Sequence, residues 1–140
     1  MISASRYHDI SCGHRVTGHE NKCSNFHGHN YRITFECEGA LDKVGRVLDF
    51  GVIKERLCLW LEREWDHKFL LWEEDDFANM REMLLGIVLV PFNPTAENMA
   101  TYLLNVIGPR QLEGTGVVLA RVMIEETRKC FAEAWLDTDQ

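Results

Sequence analysis

Basic charge is in short supply in this sequence. Fifteen Lys and Arg residues stand against 22 Asp and Glu, leaving a formal charge of −7, and a chain whose main partner is a nucleic-acid backbone needs the opposite balance. An anionic ligand would need a local basic pocket. Cys-x-x-Cys spacing is missing as well: the five cysteines fall at 12, 23, 37, 58 and 130, an odd set that suggests neither a disulfide framework nor a zinc ribbon. Long apolar runs are also absent, and Arg6 and Asp9 in MISASRYHDI stand where a signal peptide would carry its apolar core. The expectation is a cytoplasmic protein with no membrane and no nucleic-acid partner. Only three prolines interrupt 140 residues that are 46% apolar and 26% charged. That composition excludes disorder and predicts one domain over residues 1–140, able to bury roughly two-thirds of its unfolded surface without a disulfide or structural metal.

What is present is a readable sequence of periods. Tyr31, Ile33, Phe35 and Cys37 alternate with Arg32, Thr34, Glu36 and Glu38, the pattern of a half-buried strand ended by Gly39. Residues 2–12 can pair with it across the loop RVTGHENKCSNF. The stretch GVIKERLCLWLEREW places Ile53, Leu57, Trp60 and Leu61 at helical offsets. In NPTAENMATYLLNVIG, Asn93 reads as a cap, Pro94 as the first helical position and Gly108 as the stop. Val118, Ala120, Val122 and Ile124 then alternate, and CFAEAWL returns as a hairpin strand. Residues 72–92 offer a short helix in FANMREML and a short extended run in GIVLVPF, while EEDD at 73–76 reads as a solvated acidic run. The prediction is an α+β fold in the order strand-strand-helix-helix-strand-strand. Two helices cover one face of a four-stranded antiparallel sheet, and its short exposed edges make homo-oligomerisation an expectation.

The chemistry-bearing residues cluster early. His27 and His29, in CSNFHGHNY, share parity with Tyr31, so a strand beginning there turns both imidazoles to one face. Such a pair is either half of a metal site or a turn feature. His14, in SCGHRV, is the natural third ligand if the first two strands pair, and three imidazoles with one open position are a catalytic zinc arrangement. Cys23 stays open between three readings: a fourth ligand closing a structural site, a thiolate base beside the metal, or a plain loop thiol. Asp66-His67, in EWDHKFLL, joins a carboxylate to a side chain that titrates near neutrality. Glu126 continues the inward parity of Val118 to Ile124, whereas Glu125 does not, and an inward carboxylate suits a guanidine-like ligand edge. Glu97 lies in the first turn of the second helix, where the helix dipole alone accounts for it.

Taken in order, SCGHRV, CSNFHGHNY, GRVLDF, WDHKFL, NPTAEN and MIEET resemble the 6-pyruvoyltetrahydropterin and 6-carboxytetrahydropterin synthase group, of the tunnelling fold, over nearly the whole chain. The resemblance implies zinc held by His14, His27 and His29, proton abstraction by Cys23, and a proton relay through Asp66 and His67. It also implies a pterin anchored by Glu126, with the segment of Thr95 and Glu97 as a second contact region, and trimers or stacked trimers with active sites at subunit interfaces. Three residues, Ser24, Asn25 and Phe26, separate Cys23 from the HGH tripeptide, which is similar to the queuosine-pathway branch rather than to the animal-type pyruvoyl synthases. The implied reaction is conversion of 7,8-dihydroneopterin triphosphate to 6-carboxytetrahydropterin, acetaldehyde and triphosphate. Triphosphate elimination to a pyruvoyl product, or a non-catalytic zinc or pterin-binding module, are the alternatives. Cys12-Gly13 and the length of residues 72–92 depart from the pattern of that group.

Overall fold

The structure, a computed structural model, describes residues 2–18 and 24–137. Its frame is a long antiparallel pair. Strand β1, Ser3–His14, lies against β2, His27–Glu38, in one unbroken register from Ser3 opposite Glu38 to His14 opposite His27. Even-numbered residues of β1 and odd-numbered residues of β2 turn inward, so Ile10, Cys12, Tyr31, Ile33, Phe35 and Cys37 are all buried. On the far side of β2 come β5, Val118–Glu125, and its hairpin partner β6, Phe131–Trp135. The β2–β5 register slips by one residue between Glu36 and Cys37. That bulge puts adjacent Leu119 and Ala120 both in the buried class.

The sheet has six strands, not the four antiparallel ones expected from the sequence. Its order is β4-β3-β1-β2-β5-β6, with β3, Phe69–Trp72, parallel to β1, and β4, Ile87–Val90, parallel to β3. β4 falls within the short extended run read in GIVLVPF, whereas β3 has no counterpart in the sequence reading because FLLW is a continuous apolar run without alternation, the pattern of strands in parallel pairings. Between them, Ala78–Glu82 form a short 3₁₀ turn where a helix was anticipated.

Two helices contribute to the same apolar cluster as the inward side chains of the sheet. Helix α1 spans residues 50–64, begins at Asp49, whose carboxylate accepts from Gly51 N, and buries Ile53, Leu57, Cys58 and Leu61. Helix α2 spans residues 96–111 and buries Met99, Ala100, Leu103, Leu104 and Ile107. Its cap is Thr95, whose hydroxyl accepts from Asn98 N, two residues later than the sequence suggested. It also continues past Gly108, because a five-residue π segment, Leu103–Ile107, loosens the backbone just ahead of Pro109. A second π segment, Lys54–Cys58, interrupts α1. Gly108 is needed where it stands, since a Cβ there would lie 2.6 Å from Leu119 Cδ2. Among the described residues, no helix is long and apolar enough to cross a membrane.

One residue of the acidic run departs from the expected solvated face. Glu73, Glu74 and Asp76 are exposed, but the side chain of Asp75 has no exposed surface. Arg15 Nη1 donates to both of its oxygens at 2.6 Å, Thr17 Oγ1 donates at 2.6 Å and Phe77 N at 2.8 Å. The guanidinium of Arg15 also faces the ring of Phe77, 4.8 Å from its centroid. Burial alone would raise the Asp75 carboxyl; the donors from Thr17, Phe77 and Arg15 outweigh it and hold the group below its ordinary 3.8. A carboxyl depressed in the folded state stabilises fully above the unfolded value and loses that contribution as pH falls through the folded one. Thermal unfolding midpoints measured from pH 7 to pH 2 should therefore drop below about pH 4 in the wild type. Asp75→Asn should be less stable by about 3 kcal/mol at pH 7, the usual scale for breaking a buried pair, and should show a shallower acid limb.

Candidate metal centre

The β1–β2 register delivers the central feature. His14 is the last residue of β1, directly opposite His27, and Cys12 is opposite His29, so all three imidazoles stand on the inward parity at one end of the sheet. One ligand nitrogen from each of His14, His27 and His29 lies within 4.8 Å of the others. Their ring centroids are 4.6 to 5.1 Å apart. Gly28 between the two histidines of β2 permits the close strand approach, because a Cβ there would be 3.0 Å from the Cys12 carbonyl oxygen.

Hydrogen bonds settle which nitrogens are available. His14 Nδ1 is 2.7 Å from the Pro94 carbonyl oxygen, and His27 Nδ1 is 2.8 Å from that of Asn25. A carbonyl only accepts, so each Nδ1 carries the proton and each Nε2 presents a lone pair. Those two Nε2 atoms are 3.1 Å apart. Two lone pairs facing one another at that distance have no donor between them and are stabilised by a shared cation. The separation matches the roughly 3.3 Å between two nitrogens bound to a tetrahedral zinc at about 2.0–2.1 Å. Burial is the main reason the pKa of His14, and that of His29, lies below the ordinary imidazole value, although Glu126 opposes it in both cases. Both rings are thus kept in the neutral form a metal requires. Among the described residues, these three imidazoles fit a zinc ion.

Glu126 stands at the rim of this cluster. Its Oε1 is 3.5 Å from His14 Nε2 and 3.6 Å from His29 Nε2. The inward parity read from the sequence for Glu126 matches this placement, while Glu125 pairs opposite Arg32 and borders a cavity on the outward side. Tyr31, which the sequence reading treated only as a core residue, is part of the site. Its hydroxyl lies 3.2 Å from His14 Nδ1, and burial foremost, with the charge of Glu126 second, raises its pKa. Shared parity with His27 and His29 was the signal that could have found it. Glu126 also borders a cavity of about 310 Å³, together with Ala96, Glu97, Cys130, Phe131, Ala132 and Glu133. Thr95 acts here as the helix cap, its hydroxyl taken by Asn98 N.

Asp66 and His67 are brought together, and His67 borders a cavity of about 410 Å³ that His29 also lines. Asp66 Oδ1 accepts from Ser11 N, His67 N donates to Ser11 O, and His67 Nδ1 is 3.0 Å from Asp66 Oδ2. The His67 side chain is 80% exposed and borders an outward cavity lined by Ser11, Asn30 and Arg32. Its backbone sits at φ 59°, a left-handed conformation unusual without glycine. The Asp66 carboxyl is held below its ordinary value although burial opposes this; the Ser11 N–H and His67 prevail. Cys23 falls outside the described residues. Of the remaining thiols, Cys12, Cys37 and Cys58 are buried, and burial pushes Cys12 up to about 12, which makes it a packing residue rather than a nucleophile.

Known proteins share this arrangement of chain and fold. The chain is 36% identical over 137 residues to a 6-carboxy-5,6,7,8-tetrahydropterin synthase of Rickettsia felis, covering 95% of this chain and 99% of that protein. It is 29% identical over 146 residues to the protein of that name from Haemophilus influenzae, covering 95% and 98%. Among solved structures, an uncharacterized protein of Wolinella succinogenes superposes with a TM-score of 0.80 at 23% identity, covering 97% of this chain and 98% of that one. The Caenorhabditis elegans 6-pyruvoyl tetrahydropterin synthase superposes with a TM-score of 0.70 at 25% identity, covering 97% and 96%. The family described as 6-pyruvoyl tetrahydropterin synthase matches residues 3–137, and it is to this family that the chain belongs.

Proposed function

We propose that the protein is a zinc-dependent lyase that converts 7,8-dihydroneopterin triphosphate and one water to 6-carboxy-5,6,7,8-tetrahydropterin, acetaldehyde and triphosphate. In this reading it serves 7-deazaguanine and queuosine biosynthesis as a cytoplasmic enzyme, and residues 1–140 form a single catalytic domain. The observation that carries the reading is the set of three imidazoles, two with their tautomers fixed by carbonyls, beside a carboxylate that also borders a cavity. The similarity to proteins named for this activity supports the choice of product.

His14, His27 and His29 hold the zinc, which when bound supplies Lewis-acid polarisation of the substrate side-chain hydroxyls. Glu126 accepts two parallel N–H bonds from the guanidine-like edge of the pterin, from a position 3.5 Å from His14 Nε2 at the rim of the imidazole cluster. Glu97 and Phe131 line the same cavity and supply a further acceptor and an apolar face for the ring; Thr95 contributes by starting the helix that carries Glu97. Cys23, four residues before His27 in the chain, removes a carbon-bound proton. Asp66 orients His67 for the proton relay. Because His67 opens on the outward side of the sheet while the imidazoles stand inward, the relay pair serves the metal centre of a neighbouring copy. The working form is accordingly a homo-oligomer, a trimer or a hexamer of stacked trimers.

Product analysis by mass spectrometry with 7,8-dihydroneopterin triphosphate tests the reading. Carboxytetrahydropterin together with acetaldehyde is expected; a pyruvoyl pterin without acetaldehyde would replace it with simple triphosphate elimination, and zinc at one per chain without turnover would leave a binding module. Cys23→Ala should keep nearly one zinc per chain by metal analysis while kcat falls about 10²–10⁴-fold, the usual contribution of a positioned base. His29→Ala should lose the metal; equal zinc loss in both variants would make Cys23 a ligand. Glu126→Gln should raise KM for the pterin about tenfold or more, since an amide presents a donor end to donors, whereas Glu125→Gln should change KM less than about twofold.

A further inference from the structure

Two backbone carbonyls decide the tautomers of His14 and His27, and both belong to loops rather than to the sheet. Pro94 O precedes α2, and Asn25 O precedes β2. A loop carbonyl holds an imidazole only as firmly as the loop itself is held, and both of these loops are tied to the same buried group. Arg15 Nε donates to Ser24 O at 2.8 Å, next to Asn25, while its Nη1 is fixed on Asp75. Thr17, whose hydroxyl donates to Asp75, makes two bonds with the side chain of Asn93, next to Pro94: Thr17 N donates to Oδ1 at 3.0 Å and Nδ2 donates to Thr17 O at 2.8 Å. Phe26 completes the wall, its ring centroid 5.5 Å from that of Phe77 and 5.9 Å from the Arg15 guanidinium.

A charged pair withdrawn from water carries a desolvation penalty that an apolar pair of similar volume would avoid, so its retention calls for something other than bulk stability. Outer groups that hold a metal-binding imidazole in its tautomer and orientation are worth 10- to 100-fold in metal affinity. We infer that Asp75 is a positioning residue for the metal centre, acting through Arg15 on the Ser24–Asn25 carbonyls and through Thr17 on the Asn93–Pro94 loop, so that one buried carboxylate sets two of the three ligand orientations. Asp75 touches neither the metal ligands nor the substrate cavity. Its effect is on how tightly and in what symmetry the ion is held.

The inference rests on the zinc assignment made above, and its test reads metal binding without turnover. Zinc dissociation constants are measured by chelator competition for the wild type and for Asp75→Asn, Arg15→Lys, Thr17→Val and Asp76→Asn. The visible spectrum of the cobalt-loaded forms is recorded as a report on coordination symmetry. Asp75→Asn and Arg15→Lys should bind zinc about 10- to 100-fold more weakly, with an altered cobalt spectrum. Lysine preserves the charge opposite Asp75 but lacks the fork that reaches Ser24 O as well. Thr17→Val, which keeps the ion pair, should show a smaller loss of a few-fold, and serves if the Asp75 variant does not fold. Asp76→Asn, exposed in the same acidic run, should match the wild type. Wild-type zinc affinity and an unchanged cobalt spectrum in folded Arg15→Lys or Thr17→Val would overturn the inference and leave the zinc reading standing. Failure of the wild type itself to bind zinc would overturn both.

Discussion

The register between β1 and β2 is the constraint on which the rest depends. Because side chains alternate along a strand, a slip of one residue would exchange inward and outward sets over the whole ladder. The slip would turn Tyr31, Ile33 and Phe35 to solvent. The same slip would move His27 and His29 to the opposite side of the sheet from His14. The apolar core and the imidazole cluster are therefore specified by one alignment, and the energy that fixes it comes from burying the core. The imidazole cluster inherits its geometry largely from the burial of apolar residues such as Ile33 and Phe35.

The end of the sheet where the imidazoles gather is also where regular structure gives out. β1 ends at His14 and β2 begins at His27. The ligands thus have strand backbones on one side and loop carbonyls on the other, a rigid support and an adjustable one. The adjustable half is made firm by the Arg15–Asp75 pair, which no strand or helix contains. Glu126 reaches the same place from β5 by continuing the inward parity one residue past the last ladder pair, Arg32 opposite Glu125.

Much of this was legible in the sequence wherever a side-chain period carried the information. Alternation revealed β2 and β5 and the shared faces that carry His27, His29 and Glu126; the short return after β5 revealed β6, and helical offsets revealed α1 and α2. Chemistry carried by the backbone left no such trace: nothing in the residue types of Pro94 or Asn25 announces that their carbonyls orient imidazoles. Strand β3 escaped because an unbroken apolar run has no period. Asp75 escaped because it sits in a run of four acids, and a run is read as a surface even when one member of it turns inward. Thr95 rather than Asn93 caps α2, since the Asn93 side chain is already engaged with Thr17. Sequence alone could not weigh that competition.

The π segments in α1 and α2 bear on how the chain tolerates changes in length. A π turn accommodates one residue more than an α turn does over the same rise, and it swings everything beyond it by roughly 100° around the axis. Both helices carry this surplus in their middles, at Lys54–Cys58 and Leu103–Ile107, with buried residues on either side. Each behaves as an insertion already absorbed. Removing a single residue from within either segment would let the helix close into a regular spiral with its flanking apolar faces still aligned, whereas removing one from the uninterrupted turns at Leu59–Glu64 or Ala96–Tyr102 would rotate a buried face toward water.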